Sequence, residues 1–301
     1  MRLRRTMLAL FAVAAALAFG TTASQAITNG RPDDGRHPYV GLMVALDANG
    51  IPLWRCSGSL LSPTVFLTAG HCTTTPADRV QVWFEQGPVE TDPDYAAAAQ
   101  AAAPDPVSCN ASAAFDGYPC VGDVGGVPHT SPGFCSPCGH GAPNFASHDV
   151  GVVTLDSAVP TSLVSAYAGL PASGLVDTLG GNAPVDFVGY GVQFQAQVPG
   201  SQLPKPPPFN RWTGPRERMY APSNVVPENS RTGGEFLKLA LNPGRGSGGT
   251  CFGDSGGPDL LGGTSTVLGV NSHISNVNCS GIGYSQRVDG PDVLAWIVSW
   301  L

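Results

Sequence analysis

Cys251-Phe252-Gly253-Asp254-Ser255-Gly256-Gly257-Pro258 sets one serine among glycines. As Gly-x-Ser-x-Gly it fits the sharp strand-to-helix turn of α/β hydrolases, whose acid and histidine follow the serine. Only His273 follows Ser255, eighteen residues on, and no helices alternate with the apolar runs around it. Two earlier segments match the chemistry better. Leu67-Thr68-Ala69-Gly70-His71-Cys72 puts a histidine directly after an apolar run, and His148-Asp149-Val150-Gly151-Val152-Val153 puts an aspartate at the start of another. A serine hydroxyl is a poor nucleophile until a base takes its proton. An imidazole does that work, and a carboxylate fixes its tautomer and stabilises the imidazolium. Glycines let the backbone turn so that N–H groups converge on a developing oxyanion. Each residue alone is commonplace; the order His, Asp, Ser is the signal.

The rest of the chain reads as β structure. Short runs rich in Val, Leu and Phe span 39–46, 59–68, 79–84, 150–155, 185–190, 236–241 and 266–270, bounded by Gly, Pro, Asp or Asn. This is the all-β sandwich or barrel pattern. Only the end reads as a helix: Pro291-Asp292 opens it, and Val293, Trp296, Ile297 and Trp300 form an apolar face. Two stretches read as loop excursions. Residues 91–143 hold an Ala-rich piece and four cysteines, and 197–234 hold Pro204-Lys205-Pro206-Pro207-Pro208, unsuited to a central strand.

Composition agrees. Gly 39 and Pro 28 make 67 of 301 residues, only 12% are charged and 42% are hydrophobic, which fits a loop-rich globular β protein. The net charge of −7 excludes a nucleic-acid binder that relies on clustered Lys and Arg. Arg2, Arg4 and Arg5 precede an apolar run of thirteen residues, 8–20, and small residues at Ser24 and Ala26 follow. That is the layout of a secretory signal peptide over 1–26; the run is too short to span a bilayer. The Arg4-Arg5 pair suits either the general or the twin-arginine export route. No membrane association is expected of the remaining chain, whose net charge is −10. Export favours disulfides for the eight cysteines. Cys135-Ser136-Pro137-Cys138 offers half a zinc site, but a second soft ligand pair is missing. Pairing among Cys109, Cys120, Cys135 and Cys138 stays open.

The segments Thr68-Ala69-Gly70-His71-Cys72, Asp149-Val150-Gly151-Val152 and Gly253-Asp254-Ser255-Gly256-Gly257-Pro258 resemble the trypsin/chymotrypsin family of serine endopeptidases. The resemblance runs in scattered blocks from Ile27 to the last helix. It implies two six-stranded antiparallel β-barrels with the active site in the cleft between them and a short C-terminal helix. The first barrel is expected over 27–160, with the Cys-rich insertion near 91–143, and the second over 161–301. By the same resemblance His71 is general base, Asp149 its orienting partner and Ser255 the nucleophile. The N–H groups of Gly253 and Ser255 form the oxyanion hole, and Ser272 supports Asp149. Cys56–Cys72 and Cys251–Cys279 match two family disulfides; a further one in the second barrel has no counterpart. Phe187-Val188-Gly189-Tyr190-Gly191 is similar to the family's Gly-aromatic-Gly strand.

The resemblance also implies activation by a free N-terminal Ile or Val whose ammonium pairs with the aspartate before the nucleophile. Ile27 and Asp254 are that pair, and cleavage after Ala26 exposes the amine. Gly249 falls at the bottom of the specificity pocket, with Ser272 and Ile274 on its wall. A buried basic side chain would there lack a counter-charge, so a small or medium uncharged residue is expected before the scissile bond. His273 gives an acidic residue as the alternative. Either Gly281 or Gly283 lines the far wall, and Asp259 takes a place the family gives to an apolar residue. No cofactor or metal is implied: Glu85, Glu90, Asp92 and Asp94 read as a solvated acidic loop, not a calcium loop. A monomer acting on protein or peptide substrates is expected, with an inactive protease-fold binding protein or an esterase as alternatives.

Overall fold

The computed structural model describes residues 27–50, 52–89, 122–138, 146–192, 194–197, 210–213, 216–227, 234–242, 246–276 and 278–301. The expected signal peptide, Cys109, Cys120, Glu90, Asp92, Asp94 and the proline run at 204–208 lie outside them. Strand β1 (Arg31–Pro32) comes first. It is followed by β2 (Val40–Leu46), β3 (Pro52–Ser62), β4 (Val65–Thr68), β5 (Arg79–Trp83), β6 (Val124–Thr130) and β7 (Gly151–Leu155), which close into an antiparallel barrel in the order β2-β3-β4-β7-β6-β5. β2 is buried along its whole length because one face fills the barrel and the other meets the second half of the molecule. Phe66 lies at the barrel centre. A Cβ built at Gly58 would sit 2.3 Å from its ring, so only glycine lets β3 cross it.

The second half contributes β8 (Pro184–Gly189), a separate ladder of β9 (Phe194–Gln197) with β10 (Asn210–Thr213), then β11 (Met219–Asn224), β12 (Phe236–Leu241), β13 (Pro258–Leu261), β14 (Val267–Ile274) and β15 (Gly281–Arg287). Its main sheet has seven strands in the order β1-β11-β8-β13-β14-β15-β12. It curls towards a barrel and rejoins through a single bridge, Val225 to Leu239, with Val226 N–H donating to Lys238 O at 2.9 Å. The expected double-barrel architecture is therefore present, with its second barrel joined more loosely than its first. Helix α1 (Gly70–Thr73) follows β4, and α2 (Pro291–Val298) ends the chain. Val293 and Ile297 of α2 are buried in a core cluster that runs from the first barrel into the second half, and Trp300 stacks on His129 at 4.2 Å.

Four local expectations need correcting. The run at 59–68 is a hairpin, not one strand, because Pro63-Thr64 turns between β3 and β4. The first excursion contributes a barrel strand, β6, whose Gly125, Gly126 and Pro128 hid its character. The second contributes β11, which alternates buried and half-buried residues despite Pro222. β1, upstream of the first barrel, pairs with β11 in the other sheet. Cys135 pairs with Cys138, alongside Cys56–Cys72 and Cys251–Cys279.

Arg218 joins the halves. Fully buried just before β11, it donates from Nε to Asp33 Oδ2 at 2.9 Å and from Nη1 to the carbonyls of Val40 and Phe84 and the Tyr190 hydroxyl at 3.1, 2.8 and 3.2 Å. Burial works to raise the Asp33 pKa, but hydrogen bonds from His37 and the charges of His37 and Arg218 hold it below the usual range. Breaking a buried pair strands the remaining charge, at a cost of about 3–5 kcal/mol. Arg218→Met is accordingly expected to lose that much stability in urea denaturation; an unchanged midpoint would show the cluster to be dispensable. Because the folded Asp33 pKa is depressed, its contribution is present above the unfolded value of ~3.9 and is lost as pH falls through the folded one.

Candidate active site

β4 and β7 are neighbours, with Thr68 opposite Gly151. His71, on α1 just past β4, and Asp149, just before β7, therefore emerge at the same end of adjacent strands. Buried Asp149 accepts His71 Nδ1–H on Oδ2 at 2.8 Å, the His71 backbone N–H on Oδ1 at 2.8 Å, and the Ser272 hydroxyl on Oδ2 at 2.5 Å. Burial would raise the Asp149 pKa, yet the His71 charge and these hydrogen bonds hold it below the usual carboxylate range. Burial pulls the His71 imidazole down, while the Asp149 charge and hydrogen bond outweigh it and leave it raised. The charged pair is thus internally matched.

Ser255 comes from the opposite half. Gly256 packs so tightly on the end of β4 that an added Cβ would lie 2.1 Å from Thr68 Oγ1, and its φ is +77°. Ser57, on β3, anchors the loop at two points: its hydroxyl donates to Gly253 O at 2.9 Å and its N–H to Ser255 O at 2.8 Å. The Cys72 sulfur lies 3.8 Å from the same Ser255 carbonyl. Ser255 lines a cleft of about 410 Å³ with Thr250, Phe252, Ser272, His273 and Ile274. Among the described residues its hydroxyl makes no hydrogen bond to His71; such contacts are often long in unliganded sites and tighten on substrate.

Other expected residues fall as follows. Ile27 is fully buried in the second half's core, and Thr28 bridges Gly249 and donates from Oγ1 to Gly249 O and Cys279 O, both at 3.2 Å. Asp254 is buried and accepts N–H groups of Gly191 and Cys251 at 2.8 and 2.9 Å. Burial pushes its pKa up to about 7, against those hydrogen bonds and the Arg55 charge. Ser272 and Ile274 line the cleft, but Gly249 does not: its Cβ direction points at Leu241. Gly283, not Gly281, lies opposite Ile274 across β14 and β15. Asp259 is fully buried with Ser285 as its polar neighbour, and burial raises its pKa well above the usual range. A buried acid therefore stands at the place that the family gives to an apolar residue. Cys56 and Cys72 approach His71 closely, but their sulfurs form a disulfide and are not thiolate ligands.

Several contributors were not singled out from the sequence. Gln286 Oε1 accepts the Asp149 N–H at 3.0 Å, and Glu235 Oε1 accepts the His148 N–H at 2.6 Å and the Ser147 hydroxyl at 2.7 Å. They fix the segment carrying Asp149 from β15 and the entry to β12. Arg55 lies against Gly253, where an added Cβ would meet its Nε at 2.7 Å. Nothing in local sequence pattern marks these residues, since each acts across a long loop closure.

Comparison with known proteins bears on the fold. Residues 27–103 match the family model described as Trypsin. A solved structure described as "HL collagenase structure at 1.7A resolution" superposes with a TM-score of 0.59 at 18% identity, covering 88% of this chain and 94% of that one. No curated protein matches the sequence. The chain is thus similar to trypsin/chymotrypsin-like proteases, in sequence over its first part and in fold over most of its length.

The matched pair makes a prediction. In Asp149→Asn only burial still acts strongly on His71, so its pKa is expected to drop from above 6.5 to below it. An NMR titration of the imidazole reads this directly, and an unmoved pKa would mean that Asp149 is not its electrostatic partner.

Proposed function

We propose that the chain is a secreted serine endopeptidase that hydrolyses peptide bonds through an acyl-enzyme, preferring a small or medium uncharged residue before the scissile bond. The observation that carries the reading is the hydrogen-bonded series Ser272–Asp149–His71 beside a cleft that holds Ser255. In it His71 takes the Ser255 proton as Oγ attacks the carbonyl carbon, and returns it to the leaving amine. Asp149 stabilises the imidazolium. The N–H groups of Gly253 and Ser255 hold the oxyanion, on a loop that Ser57 fastens. A half-buried His273, whose pKa burial and the His71 charge both lower, favours the uncharged preference over an acidic one. The chain is read as two barrels meeting near residue 160, exported as a monomer after loss of 1–26. The barrel architecture and the hydrogen-bonded Asp149–His71–Ser272 series favour this reading over an esterase or an inactive binding protein.

A fluorophosphonate is expected to label Ser255 stoichiometrically, and Ser255→Ala to lower kcat on peptides by on the order of 10⁶. Equal peptide cleavage by both proteins would end this reading, whereas turnover of lipid esters with peptides left intact would move it to an esterase.

Activation follows from the same residues. In the uncut chain Asp254 has a folded pKa of about 7, above the unfolded ~3.9. The folded state then binds more protons across that window, so uncut protein loses stability as pH rises from about 4 to 7. In protein beginning at Ile27 the new ammonium stabilises the carboxylate and removes that loss. Thermal melts across this window on both forms separate the two cases. Activity of the cut form should fall in alkali as the amine deprotonates, and an intact mass starting elsewhere than Ile27 would overturn the scheme.

A further inference from the structure

We propose that Glu235 is a positioning residue for the reaction: from behind the cleft it holds the bend that aims Asp149 at His71. The inference rests on the endopeptidase reading above. Asp149 occupies the apex of a three-residue turn, since Val150 N–H donates back to His148 O at 2.7 Å. The residue before it, His148, has φ +49°, a left-handed conformation that is uncommon outside glycine and persists where the surroundings enforce it. Glu235 supplies that hold. Its Oε1 accepts the His148 N–H at 2.6 Å and the Ser147 hydroxyl at 2.7 Å. Its own carbonyl accepts the Arg287 N–H and Gln286 Nε2, both at 3.2 Å. The carboxylate is therefore mounted on β15 and grips the segment that leads into β7. On the outer side, His148 Nε2 lies 3.0 Å from Asp292 Oδ2, which joins the bend to the first turn of α2. Packing does not replace these bonds, because a cavity of about 590 Å³ opens behind them, with Ser147, His148, Glu235, Gln286 and Asp292 in its lining. One oxygen that meets two donors thus fixes the backbone immediately before Asp149.

The test compares wild type with Glu235→Ala and Glu235→Gln in the full protein, with active sites counted by fluorophosphonate labelling and the His71 imidazole titrated by NMR. Glu235→Ala leaves the bend without its acceptor. A misplacement of about 1 Å costs on the order of 100-fold, so kcat per labelled site should fall by about that factor. KM should stay within about twofold of wild type, because the substrate contacts are untouched. The His71 pKa should fall towards its value in Asp149→Asn, since burial then meets less opposition from the Asp149 charge and hydrogen bond. Glu235→Gln keeps an oxygen in place and should restore both readouts to near wild type. Fewer labelled sites or a lower melting temperature, with kcat per site and the His71 pKa unchanged, would mean a merely structural role and overturn the proposal. A glutamine variant as impaired as the alanine one would also overturn it, by making charge the cause. Should Glu235→Ala fail to fold, Glu235→Asp keeps the charge but shortens the reach; it is expected to lower both readouts, and wild-type values in it overturn the role. Wild type that neither labels nor cleaves peptides ends the endopeptidase reading, and the His71 titration still decides on Glu235: a fall in the alanine variant reversed by glutamine supports it, and no change overturns it.

Discussion

The two halves meet at Ser57. From its place on β3 this buried residue gives its N–H to Ser255 O and its hydroxyl to Gly253 O, accepts Tyr190 N–H on that hydroxyl at 2.9 Å, and accepts the Thr68 hydroxyl on its carbonyl at 2.8 Å. Four partners on three separate segments thus converge on one serine. Hydrogen bonds inside the protein add little net stability individually, but leaving one unmade in a buried place is costly. The loop carrying Ser255 therefore has a steep penalty for sliding on the first barrel. His71 and Asp149 belong to that barrel, and Ser255 and Ser272 to the second half. Their meeting depends on this seam holding register, and close approach at Gly256 and Gly257 is its steric condition.

Charge buried along the seam is handled in three different ways. Asp33 is paired outright, with Arg218 and His37 around it. Asp259 has Ser285 as its hydroxyl neighbour, and burial, helped by the Asp254 charge, pushes its pKa well above the usual carboxylate range. Asp254 lies between these: two backbone N–H groups favour its charge, burial opposes it, and the balance falls near neutrality at about 7. A carboxyl so poised responds strongly to one added cation, as a saturated or fully neutral site would not. The buried Ile27 segment is laced to Gly249 and Cys279 through Thr28.

Local sequence carried the strands with continuous apolar runs, the C-terminal helix and the three segments that hold His71, Asp149 and Ser255. Those signals are short-range: periodicity, a proline at a helix start, glycines around a serine. Strands that depend on their neighbours were illegible. β6 is written Val-Gly-Gly-Val-Pro-His-Thr, with glycines that look like loop until Val153 and Leu155 are seen to need their space. β11 carries Pro222, and β1 is two residues long with its partner far along the chain. The bracing of Asp149 by Gln286 spans |i−j| = 137, a separation at which no pattern within one chain offers a clue. Sequence pointed to His71, Asp149, Ser255 and Ser272; the contacts from Gln286, Glu235 and Ser57 are visible only in three dimensions.

Gly249, which the resemblance puts on a pocket floor but which does not line the cleft, shows the same limit most sharply. A glycine at a floor position states only that no side chain rises from that backbone atom, and says nothing of what descends on it from elsewhere. Emptiness is a property of the whole enclosure. Interiors pack to near-crystalline density, so space left by Gly249 and Gly283 in a buried sheet is filled by whichever neighbour can reach it. Leu241, at the end of β12 opposite Gly281, is the side chain with that reach. Two glycines and one leucine are then a single packing solution in the core of the second half.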